Sequence, residues 1–378
     1  MVAWSVTSPT LLKQLLGDPR VSKDPRRHWP AYQSGQIPAD WPLHIWVSVQ
    51  NMFTAYGADH RRLRSLVSKA FTPRRVHDLR PQIEHITTDL LDLLAAGPDT
   101  ADLREGLAYP LPIEVICQLF GVPDAARPGL RHAVDGVFNT TATPEQSAAN
   151  VQLLYGILGD LVAAKRETPA ADLASGLIAA RDEDGTRLDE TELVDTLILV
   201  ISAGHETTVN LLDHAITALL SHPEQLQHVL DGRRTWTDVI DETLRWQAPV
   251  AHLPLRYAVE DIETDGITFR AGEAILASYA AAGRDRSYHG DDADRFDIAR
   301  PDKTHLAFGH GVHYCLGAPL ARLEAEVALP ALFARFPGLA LAVEPEDLQP
   351  VASFISNGHR TLPVVLSGRQ PANRMKRE

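Results

Sequence analysis

One cysteine of the chain stands in a glycine-rich segment just before a predicted helix. Cys315 belongs to the segment FGHGVHYCLG (residues 308–317), and Pro319 follows in the first turn of that helix, where its missing N–H costs nothing. The glycines let the backbone pass close to a flat ligand. A sulfur at a helix start faces free N–H groups and the positive end of the helix dipole, and both favour the thiolate. Such a thiolate can ligate haem iron and promote cleavage of the O–O bond.

Two alternatives compete with a haem ligand for these residues. Cysteine is among the most buried residue types and often only packs, which is the role we expect for Cys117 in the apolar segment PIEVICQLF. His310, His313 and Cys315 could instead bind zinc, but a structural zinc site normally has four ligands. The sequence has no second Cys/His cluster with matching spacing, so we favour the haem ligand.

A second group of reactive side chains lies in a long apolar stretch, in the segment AGHETT (residues 203–208). Gly204 would let the helix approach a cofactor, and a carboxylate in apolar surroundings is costly, so Glu206 indicates function. Beside it, the Thr207 hydroxyl could stabilise reduced oxygen while Glu206 passes protons inward from solvent. An ordinary polar helix face is the plain alternative. A zinc protease is excluded because the HExxH pattern would need histidine at Val209.

The cysteine segment resembles the haem-binding signature of the cytochromes P450, with Phe at its start, Gly three positions on, Cys four further and Gly two beyond. The resemblance extends from about Trp4 to Leu366 and is to the soluble actinobacterial members. It implies a mainly helical fold, haem b ligated by Cys315, and monooxygenase chemistry fed by a ferredoxin and a ferredoxin reductase. It also implies that this chain begins later than family members usually do.

The resemblance assigns roles to individual residues. Glu206 and Thr207 match the family's catalytic acid and alcohol. Haem carries two propionates that need cationic or hydrogen-bonding partners, and His60 and Arg64, four apart on one helical face, match the family's HxxxR contact. The residues that we expect to contact haem are His60, Arg64, Ala203, Gly204, Arg256, Phe308, Gly309, His313, Cys315 and Gly317.

A structural brace is expected beside the cysteine segment. Glu242 and Arg245 place opposite charges three residues apart on a helix, a pair that at the surface would contribute only about 0–1 kcal/mol. They match the family's Glu-x-x-Arg motif. The third member is an arginine before the cysteine segment, and the sequence leaves Arg295 and Arg300 as equal candidates.

The elements that must position these residues form a mainly α fold with small antiparallel β regions. Residues 186–221 contain one glycine and no proline, which predicts one long central helix, and a final helix is expected over about residues 315–336. A change to β-branched alternation, with a turn at Asp265-Gly266, predicts the β region. No repeat or linker separates two bodies, so we expect one domain over residues 1–378 with a frayed tail at 369–378.

Composition limits the class of partner. The net charge is −13, which argues against general nucleic-acid binding. The longest apolar run, residues 197–201, is far shorter than the roughly 20 residues that span a bilayer. Two cysteines cannot build a disulfide framework of the secreted type. We therefore expect a cytoplasmic monomer without a membrane anchor.

One stretch reverses the overall charge, since residues 61–75 carry six cationic and no acidic side chains. A solvated helix face would explain it, but we favour the docking face for the acidic ferredoxin that the resemblance implies.

The expected reaction is insertion of one oxygen atom from O₂ into a lipophilic small molecule. By resemblance, the substrate pocket draws on mostly apolar segments, which favours a steroid, a macrolide or a similar natural product. Two other functions would use the same haem. A haem-thiolate binding or sensor protein would not need Glu206 and Thr207, and an oxidase could couple or rearrange its substrate.

Overall fold

A computed structural model describes residues 2–181 and 185–367 of the 378-residue chain, and most of its elements are helices. The helices are α1 (Pro9–Gly17), α2 (Pro25–His28), α3 (Pro30–Gln33), α4 (Ile45–Ser48), α5 (Gly57–Ala70), α6 (Pro73–Asp78), α7 (Arg80–Ala96), α8 (Pro110–Phe120), α9 (Arg127–Phe138), α10 (Pro144–Glu167), α11 (Leu173–Ala179), α12 (Glu190–Ser221), α13 (Pro223–Leu230), α14 (Trp236–Trp246), α15 (Tyr279–Gly283), α16 (Arg286–His289) and α17 (Ala318–Arg335). The strands are β1 (Ala3–Val6), β2 (Val21–Ser22), β3 (Thr100–Asp102), β4 (His252–Ala258), β5 (Ile262–Thr264), β6 (Ile267–Phe269), β7 (Ala274–Ser278), β8 (Ala340–Leu341) and β9 (Pro363–Val365). The predicted fold class is confirmed, and the predicted frayed tail lies outside the described residues.

The long helix α12 runs through the centre of the molecule. It begins at Glu190 and not at Thr186, because Asp189 forms a capping box in which its side chain accepts the Glu192 N–H. Helices α8, α10, α14 and α17 pack around it. Most of its residues from Leu193 onward are therefore buried, polar ones included.

The strands form small sheets at the edge of the helical body. The largest has the order β1-β7-β4-β2. Its pairs β7–β4 and β4–β2 are antiparallel as predicted, whereas β1 pairs with β7 in parallel, from Ala3 with Ala274 to Val6 with Ala277. The predicted turn at Asp265-Gly266 joins β5 to β6, with φ of 48° and 76°, as a tight hairpin requires.

One helix, α10, has the length and mean hydropathy of a membrane span, at 24 residues and 1.2. By itself this is weak evidence for a span, because helices of soluble proteins meet the same criterion. A capping box of Thr143 with Gln146 begins the helix, and its buried face packs against α9 and α12.

Candidate active site

The cysteine loop (residues 308–317) closes on itself before α17. The Cys315 N–H donates to the carbonyl of the loop's first residue at 2.9 Å. Gly309 and Gly311 have φ of 72° and 71°, a conformation that favours glycine. A Cβ at Gly311 would also lie 2.5 Å from the Leu16 carbonyl oxygen. These two glycines therefore serve the turn and the contact with α1.

The Cys315 thiol lies at the N-terminus of α17, where it accepts hydrogen bonds from the N–H groups of Gly317 and Ala318. The residue is exposed, but the protein around it still desolvates the sulfur. Burial raises the pKa of Cys315 more than these N–H groups and Arg64 lower it. The N–H groups at the helix start therefore favour the thiolate as predicted, but burial outweighs them. Cys117 is no competitor, since it is fully buried and burial raises its pKa to about 12.

Several basic side chains lie beside the cysteine loop. The Arg64 guanidinium donates to the Tyr314 carbonyl at 2.8 Å, which brings α5 against the loop. The His60 and His313 rings lie 4.2 Å apart between centroids. Burial, followed by the positive charge of neighbouring arginines, lowers the pKa of His60 to about 4 and lowers that of His313 further. Both imidazoles are therefore neutral, and each offers an N–H donor. Arg256 on β4 belongs to the same group and is 3% exposed.

These residues fit a haem group. The His60 Nε2 and the Arg256 Nε are buried with no hydrogen-bond partner within the described parts of the chain. Buried cations and donors without acceptors are costly. The two carboxylates of haem would supply the acceptors, and the sulfur of Cys315 would supply the ligand for its iron.

The Glu206 carboxylate is held in a buried polar network. Its Oε1 accepts hydrogen bonds from Ser356 Oγ at 2.6 Å, Asn210 Nδ2 at 3.2 Å and Arg104 at 3.3 Å. Arg104 also bonds Asn210 Oδ1 at 3.0 Å and lies 3.7 Å from the buried Asp213. The carboxylate is therefore turned toward the interior.

Thr207 lies on another side of α12. Its hydroxyl donates to the Ala203 carbonyl at 2.6 Å, so it back-bonds to the previous turn and does not contact Glu206 directly. Ala203 is exposed and Thr207 half-buried, so both lie on the open side of α12. A Cβ at Gly204 would meet Ile116 Cδ1 at 2.7 Å, so the glycine permits close packing of α12 on α8.

The brace is fully buried. Arg245 forms two hydrogen bonds with Glu242, at 2.8 and 2.6 Å, and neither side chain is exposed. Arg300 also reaches Glu242, at 3.4 Å, whereas Arg295 contributes only its backbone carbonyl to Arg245. The structure thus selects Arg300 as the side chain that joins the pair. A Cβ at Gly283 would lie 1.9 Å from the Arg245 carbonyl oxygen, so the last residue of α15 must be glycine.

Sequence reasoning missed several of these partners. The i, i+4 spacing of Glu206 and Asn210 was a visible signal for their contact. Arg104 and Ser356 are more than 100 positions away from Glu206 and carry no local signal. The same holds for Lys23, a buried lysine near Arg256.

Comparison with known proteins agrees with this site. The family model described as Cytochrome P450 matches residues 234–355. The chain is 46% identical over 374 residues to 2-hydroxy-5-methyl-1-naphthoate 7-hydroxylase of Streptomyces carzinostaticus, covering 98% of this chain and 91% of that protein. It is 56% identical to the solved structure of CYP154A1 from Streptomyces coelicolor A3(2), with a TM-score of 0.90 and coverage of 96% and 91%. CYP154C4 from Streptomyces sp. W2061 shows 44% identity and a TM-score of 0.92, with coverage of 96% and 89%. The chain therefore belongs to the cytochrome P450 family and is a haem-thiolate monooxygenase.

Proposed function

We propose that this monooxygenase hydroxylates a lipophilic natural product with a polycyclic or macrocyclic skeleton, using electrons from a ferredoxin and its reductase. Similarity to a naphthoate hydroxylase over nearly the whole chain supports this substrate class. Aromatic side chains around Trp46 support it as well, because its ring meets Phe53 and Phe138 edge to face at 6.0 and 5.3 Å. The net charge and the two unpaired cysteines favour a monomer in the cytoplasm.

Haem, when bound, supplies the redox centre that activates O₂. In our proposal the chain holds it with Cys315 as the metal ligand and with His60, Arg64, Arg256 and His313 at its carboxylates. The neutral histidines donate one N–H each, and the arginines supply the charge. Phe308, Gly309, Gly317, Ala203 and Gly204 complete the proposed haem contacts.

Glu206 and Thr207 would move protons from the interior toward the open side of α12. Thr207 Oγ1 donates to its own helix, so its lone pairs are free to accept a hydrogen bond on the open side of α12. Glu206 is anchored away from that hydroxyl by Arg104, Asn210 and Ser356. Proton transfer between the two therefore needs a bridging water or a rotation of the carboxylate out of its network.

Electron delivery is proposed at the basic stretch. Arg62 forms an ion pair with Glu192 and Arg64 is turned toward the cysteine loop, so neither serves docking. Arg61, Arg74 and Arg75 are exposed, and the carboxylate nearest to Arg74, that of Asp78 at 3.9 Å, is exposed as well. The contact of Arg64 with the loop places this helix beside Cys315, where a donor's electrons must arrive.

The exposed position of Cys315 at the start of α17, beside buried donors without acceptors, is the observation that carries the proposal. The test is the spectrum of the reduced, CO-bound protein. Cys315→Ala should lose the strongly red-shifted Soret band of thiolate ligation, while Cys117→Ala should keep it. An unchanged spectrum in the Cys315 variant would refute the ligand. Binding spectra with a naphthoate, a macrolide and a steroid then separate the substrate classes.

A further inference from the structure

Lys23 is a buried cation that the proposed haem contacts do not yet include. It lies between β2 and the start of α2, and the residue is 3% exposed. Its Nζ donates to the Pro254 carbonyl at 3.2 Å and lies 3.5 Å from the centroid of the Phe53 ring. The ammonium therefore has one neutral acceptor and one aromatic face.

No carboxylate among the described residues balances this charge. Burial and repulsion from Arg256 lower the pKa of Lys23 well below its ordinary value, and no acidic group acts against them. The neighbouring carboxylate, Asp24, is engaged elsewhere, because it caps α2 through the Arg26 N–H at 3.0 Å and lies 3.3 Å from the Arg26 Nε. A buried ammonium without an anion costs several kcal/mol or loses its proton.

The surroundings of Lys23 are those of the proposed haem carboxylates. Lys23 donates to the Pro254 carbonyl on β4, two positions before Arg256. Both basic side chains lie close enough to the half-buried His313 to act on its charge, and the His313 ring contacts that of His60. Arg256 has an unpartnered Nε of its own within the described parts of the chain. Two basic side chains and an imidazole thus lie together, and the described residues provide no carboxylate partner for Lys23 or Arg256.

We propose that Lys23 binds a haem propionate together with Arg256 and His313. This inference rests on the proposed haem contacts of Arg256 and His313, and it adds a residue from the N-terminal part of the chain to them. The competing occupant is a carboxylate carried by the substrate, since Phe53 also contacts Trp46, around which we propose that the substrate binds. We favour haem because Arg256 has a buried Nε without a partner among the described residues and is itself proposed to bind a haem carboxylate.

The test measures how fast the intact holoenzyme loses haem to an excess of apomyoglobin. Lys23→Met should lose haem about tenfold faster or more, because a charge-assisted hydrogen bond is removed, and its reduction potential should fall with the loss of a positive charge. Lys23→Arg should stay near the wild type. Lys13→Met, an exposed lysine of α1, is the matched control.

Arg256→Met separates the possible failures. If Arg256→Met loses haem faster but Lys23→Met and Lys23→Gln do not, the inference about Lys23 is wrong while the haem contacts stand. If neither position affects haem loss, the proposed carboxylate site itself is wrong. The third outcome is that Lys23→Met keeps haem, has a lower affinity than the wild type for 1-naphthoate, and has an unchanged affinity for naphthalene. In that case Lys23 binds the substrate carboxylate, and the proposal is overturned. Lys23→Gln decides these outcomes should the methionine variant fail to fold.

Discussion

At the scale of single residues, the Thr207 hydroxyl offers the sharpest test of proton delivery. Thr207→Ala should retain haem and substrate binding but divert reducing equivalents to hydrogen peroxide, because the open side of α12 loses its hydroxyl. The measurement compares NADH consumed with product and peroxide formed. Thr208→Ala is the matched control, since this buried hydroxyl also bonds its own helix, at 3.2 Å to the Gly204 carbonyl. Full coupling in the Thr207 variant would argue against the role.

Ser356 acts on the same chemistry through Glu206. Its 2.6 Å hydrogen bond is the shortest that the carboxylate accepts, so Ser356→Ala should slow product formation and change its solvent isotope effect, with the CO spectrum unchanged. The loss of stability should be about 1–3 kcal/mol, as for a buried charged hydrogen bond. Ser221→Ala, which removes a hydroxyl bonded within α12 at 2.8 Å, serves as the control. If the wild type, Ser356→Ala and Ser221→Ala show the same solvent isotope effect, Ser356 has no role in proton delivery.

At the scale of elements, the brace ties α14 to the segment before the cysteine loop. Arg245→Met should lower the free energy of unfolding by about 3–5 kcal/mol, because it leaves Glu242 buried and largely unpaired. Arg300→Met should cost less, since Glu242 keeps both bonds to Arg245. Urea unfolding and haem content measure both effects. A loss below about 1 kcal/mol for Arg245→Met would mean that the pair behaves like a surface ion pair.

Helix α17 carries a buried acid, Glu324. Within the described parts of the chain, neither of its carboxyl oxygens has a hydrogen-bond partner, and burial raises its pKa well above the ordinary value. The folded state therefore binds a proton that the unfolded chain releases above about pH 4.3. The free energy of unfolding therefore carries no penalty from Glu324 below that pH, and it decreases as the pH rises above it.

Glu324→Gln should consequently raise the free energy of unfolding at about pH 8, by roughly 1–3 kcal/mol, and change it little near pH 4. Urea midpoints at the two pH values give the comparison. Glu326→Gln, a partly exposed neighbour that lies 3.5 Å from Arg80, is the control. A pH-independent effect of the Glu324 change would show that the carboxyl is solvated in the native protein.

At the scale of the whole molecule, a net charge of −13 opposes the approach of an acidic ferredoxin. Changing Arg74 and Arg75 to Glu should slow ferredoxin-driven reduction at low salt and leave dithionite reduction unchanged. The effect should fade with added salt, because exposed charges are screened beyond about 10 Å at 0.1 M ionic strength. The same change at Arg233 and Arg234, an adjacent pair between α13 and α14, tests for a simple effect of net charge. If the rate of ferredoxin-driven reduction depends neither on the charge reversal nor on the salt concentration, the ferredoxin docks at another surface.

The sequence by itself determined the local chemistry of this protein. The spacing of glycines around Cys315, the pair Glu242 and Arg245, and the pair His60 and Arg64 all lie within a few positions of one another. Such contacts follow from turn and helix geometry, so they can be predicted without a fold. The apolar run of α12 likewise predicted a central helix, because a helix that is apolar on all sides must be buried.

The tertiary structure decided what depends on distant parts of the chain. It brought Arg300, and not the Arg295 side chain, to the buried Glu242. It also placed Glu206 in a hydrogen-bond network with Arg104 and Ser356, and Lys23 close to Arg256. It also showed that burial outweighs the helix-start N–H groups in setting the pKa of Cys315, since desolvation depends on how much protein surrounds the sulfur. Burial and long-range partners come from packing, and no spacing along the sequence carries that information.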